Sequence, residues 1–271
     1  MQKKSIKNSQ TNNIPVALTI AGSDPSSGAG VQADLKTYWY HNVYGLSVIT
    51  AITVQNTTGV KEVFALPAHL IASQLDFIFS DISVHSVKIG MVFSKDTAKE
   101  VSFVLKRHNV KNIVLDPIIL STSGNYLIKK DEIKDIVDYL FPISYIITPN
   151  AIEALELTGI HIKDEKDVNQ VLSRLKELGP QNILLKGGHL PGKLNGIDFF
   201  YNGLEVQKFY PEKIINSKKP IHGTGCILSS AISANLAKGK DIYMSIKDAK
   251  SFITKIIDKK ICLGKGSYLW I

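Results

Sequence analysis

Strand-length apolar runs alternate with segments of helical period along almost the whole chain, and that alternation constrains the fold more than any other feature. VALTI (16–20), SVITAITV (47–54), VHSVKIG (84–90), NIVLD (112–116), YIITPN (145–150) and NILLKGG (182–188) read as strands. Helices are predicted between them over 31–43, 67–82, 129–140, 151–158 and 164–178, and from a Ser94 cap to about His108. Pro67 stands at the N-terminus of the second of these. GIDFFYNGLEVQKFY then predicts a hairpin turning at Asn202-Gly203. Residues 211–222 read as irregular, GTGC opens a helix to about Lys238, and a last helix is expected over 241–260. Repeated strand-then-helix units imply an α/β fold, a largely parallel sheet covered by helices on both faces. No linker, repeat or low-complexity block interrupts it. A single domain over 14–271 is expected, preceded by a flexible polar tail, 1–13.

Composition narrows the function classes. The 271 residues carry a formal net charge of +8. A basic balance suits a phosphorylated small molecule, a nucleic acid or an anionic membrane. The lysines are scattered, however, and no basic stripe interleaves with aromatics, so a nucleic-acid partner is not expected. No apolar run reaches the ~18 residues of a membrane span. The first 13 residues lack the apolar stretch of a secretory signal. A cytoplasmic protein with free thiols is therefore expected, and the two cysteines, Cys226 and Cys262, form no CxxC pair for zinc.

In open parallel sheets, ligands gather at the carboxyl ends of the strands. Those ends here are Gly22, Ser23 and Asp24; Gln55 and Asn56; Gly90 and Met91; Asp116; Asn150; and Lys186 and Gly187. Phosphoryl transfer needs charge stabilisation, metal on the phosphates and a base near the acceptor hydroxyl. This rim offers candidates for each. Gly223, Thr224, Gly225 and Cys226 open a helix, and successive backbone N–H groups at a glycine-rich helix start bind anions. A helix N-terminus also lowers a thiol pKa, which would suit Cys226 as the base. Asp116 and Glu153 are acids able to hold Mg2+, directly or through water, and Lys186 is a fixed cation for nucleotide phosphates. Plainer roles stay open for them: a loop cap for Asp116, a helix-cap partner of Asn150 for Glu153, a solvated edge for Lys186. Gln55 presents a donor and an acceptor side by side, matching an aminopyrimidine edge. Met91 could line an aromatic pocket or pack in the core.

Taken together, LTIAGSDPSSGAGVQADLKT, SVITAITVQNT, VKIGM, VLDPII, ITPNAIEA, LLKGGH and HGTGC resemble the hydroxymethylpyrimidine/phosphomethylpyrimidine kinases of thiamin biosynthesis, of the ribokinase-like superfamily. The likeness spans roughly 15–262. It implies a ribokinase-like three-layer α/β/α sandwich with a mostly parallel central sheet. It implies two ATP-dependent phosphorylations, of 4-amino-5-hydroxymethyl-2-methylpyrimidine and then of its monophosphate. By position, the pyrimidine would meet Gly22, Asp34, Gln55, Met91 and Ile118. Gly223 to Cys226 would form the anion hole, with Cys226 where many relatives carry an aspartate base. Thr224, Lys186 and Asp116 would bind the nucleotide phosphates. Asn150-x-x-Glu153 is similar to a magnesium-associated motif, and Asp116 and Glu153 would hold the metal. The resemblance also implies a homodimer. The chain departs from the pattern at Thr122 and Asn125, in the expected lid, and at its C-terminal GKGSYLWI.

Three other readings compete. A pyridoxal kinase on the same scaffold is expected to carry a second cysteine in the lid, and 117–126 has none. A nicotinamide oxidoreductase would rest on Gly28-x-Gly30-x-x-Ala33. Seven residues separate that motif from Ile20, and no acid follows the second strand to take a ribose. A basic binding module would explain the charge but not the ordered polar residues at successive strand ends.

Overall fold

The computed structural model describes residues 14–120, 126–211 and 223–271. The expected polar tail, the lid positions Thr122 and Asn125, and almost all of the irregular stretch 211–222 lie outside them. One nine-stranded sheet runs in the order β3-β2-β1-β4-β5-β6-β7-β8-β9. Its strands are β1 (Val16–Ser23), β2 (Tyr44–Asn56), β3 (Gly59–Ala65), β4 (Ser86–Ile89), β5 (Ile113–Leu115), β6 (Ile146–Ile147), β7 (Asn182–Leu185), β8 (Asp198–Tyr201) and β9 (Val206–Phe209). The six strands from β2 to β7 are mutually parallel, and β3, β8 and β9 add antiparallel edges.

Period-two alternation divides the core into two layers. Ile113, Leu115, Ile147, Ile183 and Leu185 face α2 (Ala68–Phe79), α3 (Lys95–Arg107), α4 (Ile133–Leu140), α5 (Ala151–Thr158) and α6 (Glu165–Glu177). Val114, Ile146 and Leu184 face the other way, with α1 (Gly30–Tyr40), α7 (Thr224–Ala237) and α8 (Ile242–Ile257) on that side. Burying both faces is what makes these strands continuously apolar. The result is the expected three-layer sandwich.

Helix boundaries follow local chemistry. Ser94 accepts a hydrogen bond from the Thr97 N–H at the start of α3, which ends on Lys106 and Arg107. Asn150 and Asp164 form reciprocal capping boxes with Glu153 and Asp167 at α5 and α6. Helix α7 is buried on every side from Cys226 to Ala237. Its small residues let it lie close to the sheet, and its serines reach Asp116 (Ser229), Asp34 (Ser230), and Tyr38 and Ser86 (Ser233).

Three expectations on local structure differ. The segment 59–65, which lacks a buried-strand pattern, forms β3, joined to β2 through a turn in which the Asn56 side chain accepts from the Thr58 N–H and hydroxyl. The Asn202-Gly203 turn is longer than two residues, because Tyr201 pairs with Val206; Asn202 Oδ1 caps it by accepting from the N–H groups of Leu204 and Glu205. The last helix stops at Ile257, and β10 (Lys260–Leu263) pairs with β11 (Gly266–Leu269) beyond it. Cys262 therefore lies on β10. The tip of that terminal hairpin reaches back to β2–β3, where the Lys265 N–H donates to Thr57 Oγ1 at 3.2 Å.

Candidate active site

Strand β1 has β2 on one side and β4 on the other, so the chain reverses its direction of sheet growth there. Ligand clefts in open α/β sheets form at such a switch. Parallel strands bring the carboxyl ends of β1, β2, β4, β5, β6 and β7 to one rim, as the sequence implied.

The glycine-rich loop after β1 is organised from within. The Asp24 carboxylate accepts from the Ser26 N–H and hydroxyl, at 2.8 and 2.6 Å, and from the N–H groups of Gly28 and Ala29, at 3.1 and 2.9 Å. The amides that a dinucleotide phosphate would need are thus held by a side chain of the same loop. Gly28 has a different use. A Cβ on Gly223, whose φ is +82°, would overlap the Gly28 carbonyl oxygen. The two glycine-rich loops pack back to back, which only glycine at 223 permits.

Beside this loop, Met91 packs its terminal methyl onto Gly22, where any Cβ would stand 2.5 Å from it. The Met91 carbonyl accepts from Thr50 Oγ1 at 2.6 Å. Gln55 is half-buried, its Oε1 accepting from Thr53 Oγ1 at 3.2 Å, while the same hydroxyl also reaches the Ser23 carbonyl at 2.9 Å. Ile118 is half-buried and lines an apolar cavity together with Gly90, Leu115 and Pro117. Gly22, Gln55, Met91 and Ile118 are thus spread along neighbouring strand ends. Asp34 is not with them. It is fully buried under the rim, bonded to Lys88, Thr19 and Ser230, and so has neither the exposure nor a spare direction for a ring contact.

The charged group lies at the ends of β5, β6 and β7. Lys186 Nζ donates to Asp116 Oδ1 at 2.7 Å and stands 3.9 Å from Glu153 Oε2. Thr148 Oγ1 and Ser229 Oγ also donate to Asp116, at 3.0 and 3.3 Å. Glu153 Oε2 accepts from the Asn150 N–H at 2.7 Å, so its helix-capping role is real and coexists with its place at the rim. A Cβ on Gly225 would lie 3.3 Å from Lys186 Nζ and 3.8 Å from Asp116 Oδ2, which puts the first turn of α7 directly against this group.

Burial sets the protonation states. Burial would raise Asp116, but the Lys186 and Lys88 cations, with the bonds from Lys186 and Thr148, hold it below the usual carboxylate range. Glu153 is pushed up to about 7, by burial first and by the Asp116 charge second, against the pull of Lys186. Burial opposes the Lys186 cation, but Asp116 and Glu153 hold it above its ordinary value. Cys226 departs from expectation. Burial pushes its thiol up to about 11, only partly offset by Lys88 and Lys186, so the helix start does not leave it a ready thiolate.

Among the described residues, no three or more His, Cys, Asp or Glu side chains cluster as a metal cage. Two hard carboxylates beside a glycine-rich helix start nevertheless fit Mg2+, an ion that completes its shell with water. The Asp116 charge that adds to burial in raising Glu153 is the kind of field a cation relieves.

One charged residue was not singled out from sequence: Lys88, fully buried in β4. A lone lysine between Val87 and Ile89 in a strand buried on both faces was its signal, since such a charge needs a partner.

Comparison with known proteins bears on the whole chain. The family model described as phosphomethylpyrimidine kinase matches residues 24–270. The hydroxymethylpyrimidine/phosphomethylpyrimidine kinase of Aquifex aeolicus is 42% identical over 251 residues, 93% of this chain and 97% of that protein. A thiamine biosynthesis bifunctional protein of Geobacter sulfurreducens is 41% identical over 249 residues, 92% of this chain; the chain spans about half (50%) of that relative's length. Among solved structures, phosphomethylpyrimidine kinase from Clostridium difficile is 43% identical, with a TM-score of 0.79 over 89% of this chain and 99% of that one. An ADP complex of Bacillus subtilis pyridoxal kinase is 32% identical, with a TM-score of 0.86 over 94% and 97%. No described helix is long and apolar enough to cross a membrane.

Proposed function

The chain belongs to the phosphomethylpyrimidine kinase family, and from that premise we propose how its rim performs the reaction. It is an ATP-dependent kinase of 4-amino-5-hydroxymethyl-2-methylpyrimidine and of the monophosphate, acting in thiamin biosynthesis. The observation that carries the mechanism is the first turn of α7 resting on Asp116 and Lys186. Backbone N–H groups from Gly223 to Cys226 point where the transferring phosphoryl group develops charge. Thr224 and Lys186 bind the nucleotide phosphates. Asp116 and Glu153 would hold Mg2+, which when bound neutralises the phosphate oxygens. Gly22, Gln55, Met91 and Ile118 hold the ring, with Gln55 reading the amino edge.

In the transfer, the acceptor hydroxyl oxygen forms a bond to the γ-phosphorus as the bond to the bridging oxygen of ADP breaks. Cys226, once ionised, accepts the hydroxyl proton. The second round uses the same site, with an oxygen of the monophosphate as the nucleophile.

The closer overlay on the Bacillus pyridoxal kinase favours a second reading, a pyridoxal kinase. The higher identity to pyrimidine kinases and the carboxamide of Gln55 weigh against it. Incubating the protein with ATP, Mg2+ and either alcohol, with products identified by mass, separates the two. Pyrimidine mono- and diphosphate are expected; pyridoxal phosphate with no pyrimidine product would overturn the assignment.

The functional unit is a cytoplasmic homodimer. Support for the dimer lies on β2–β3, where Ile52 (49% exposed) and Phe64 (58% exposed) pair across the strands beside exposed Val54. Contiguous apolar surface of this kind marks an association site.

A further inference from the structure

Beneath the rim, four elements meet at one carboxylate. Asp34 on α1 receives Lys88 Nζ from β4 at 2.8 and 3.0 Å, Thr19 Oγ1 from β1 at 2.5 Å and Ser230 Oγ from α7 at 2.6 Å. Lys88 and Asp34 side chains are 0% exposed. Their hydrogen bonds run to each other, Thr19 and Ser230, while the Lys88 charge also reaches Cys226 and Asp116. A buried ion pair is weak support for stability, since apolar residues of similar volume often serve as well. What such a pair does supply is a fixed arrangement of the elements that carry it.

We propose that Lys88 and Asp34 are positioning residues for phosphoryl transfer, anchoring the first turns of α7 through Ser230 so that the Gly223–Cys226 amides and thiol sit at a fixed depth on the rim. Ser230 is one helical turn beyond Cys226, and its neighbour Ser229 shares its hydroxyl between the Gly225 and Cys226 carbonyls, at 3.1 and 3.0 Å, and Asp116 at 3.3 Å. Two consecutive hydroxyls therefore fix both the rotation and the depth of the helix start, one from the rim and one from below. Gly90 makes room for the anchor: a Cβ there would stand 2.8 Å from Lys88 Nζ. The ammonium thus lies directly under the strand end that leads into Met91. This inference rests on the kinase reading for its catalytic readout, but not for its structural one.

The test is a cycle of Ser230→Ala, Lys88→Met and the double variant. Amide hydrogen exchange over 224–230 is read on the unliganded protein, so it reports on the anchor even in a protein that phosphorylates no pyrimidine. Exchange there is expected to rise at least tenfold in Ser230→Ala, with α8 unchanged. Turnover is expected to fall about tenfold in kcat, with KM for ATP and for the pyrimidine within threefold of wild type. Because Lys88 reaches Ser230 through Asp34, exchange over 224–230 in the double variant should rise no further than in Lys88→Met alone, and Lys88→Arg should recover part of the protection. Wild-type exchange and kcat in Ser230→Ala would overturn the proposal, as would additive rises in exchange in the double variant. Should Lys88→Met fail to fold, Ser230→Ala alone decides, since it leaves the ion pair in place.

Discussion

Cys226 is buried in the first turn of α7, with Lys88 and Lys186 pulling its thiol down and burial pushing it up to about 11. A base that is protonated at neutral pH gains its active form tenfold with each pH unit below its pKa. We therefore expect log kcat/KM for the pyrimidine to climb with a slope near one between pH 7 and 9; a plateau from pH 7 would assign the proton to another group. Cys226→Ala should lose about 10²–10⁴-fold in kcat while calorimetric ADP binding survives. Glu153 carries the opposite charge problem. Its folded pKa, about 7, lies above the ordinary carboxylate range, so between that range and 7 the folded protein keeps a proton that the unfolded chain has lost. Stability attributable to this group is present at low pH and is lost as pH rises through that window. Glu153→Gln should therefore melt above wild type at pH 8, with the gap closing near pH 5, while turnover falls; a lower melting point at pH 8 would contradict the assignment. At this scale the sequence was legible wherever a polar residue ended a strand. It misled at Asp34, which shares the buried face of α1 with Ala33, Thr37 and Tyr38. Nothing within α1 reveals that its partner is a lysine on a distant strand.

The start of α7 shows how an element can hold a site without a charged side chain. Gly223 takes a left-handed conformation, costing a residue with a Cβ about 1–2 kcal/mol, and its contact with Gly28 leaves no room for one. Gly223→Ala should lower the melting temperature and weaken nucleotide binding together. Unaltered ADP affinity by calorimetry would mean that the helix start is not the phosphate cradle. The helices were readable because their caps are spelled out in Ser94, Asn150 and Asp164. Strand β3 was not, because its residues are mostly exposed and so lack the apolar run that marks a buried strand. The terminal β10–β11 hairpin lies beyond the helix expected over 241–260, and its pairing identifies it.

Across the whole molecule, the sheet outgrows its helical layers at the β2–β3 end. Val48 and Thr50 are covered, whereas Ile52, two residues further along the same strand, is not. Phe64→Glu puts a charge in the middle of that face. It should shift sedimentation from dimer to monomer with little change in melting temperature, and a persisting dimer would move the interface elsewhere. The parallel core was legible because strands buried on both faces leave an unbroken apolar signature. The uncovered flap was not, since exposure at an edge depends on where the helices stop.

The loop after β1 carries its own anion. A dissolved phosphate approaching the Gly28 and Ala29 amides must displace the Asp24 carboxylate, which is tethered four and five residues away. Tethering gives such a rival an effective concentration in the millimolar range or above. Of the two glycine-rich loops in contact, the one after β1 therefore arrives with its anion already in place, and the phosphate seat proposed at Gly223 to Cys226 faces that much less competition from it.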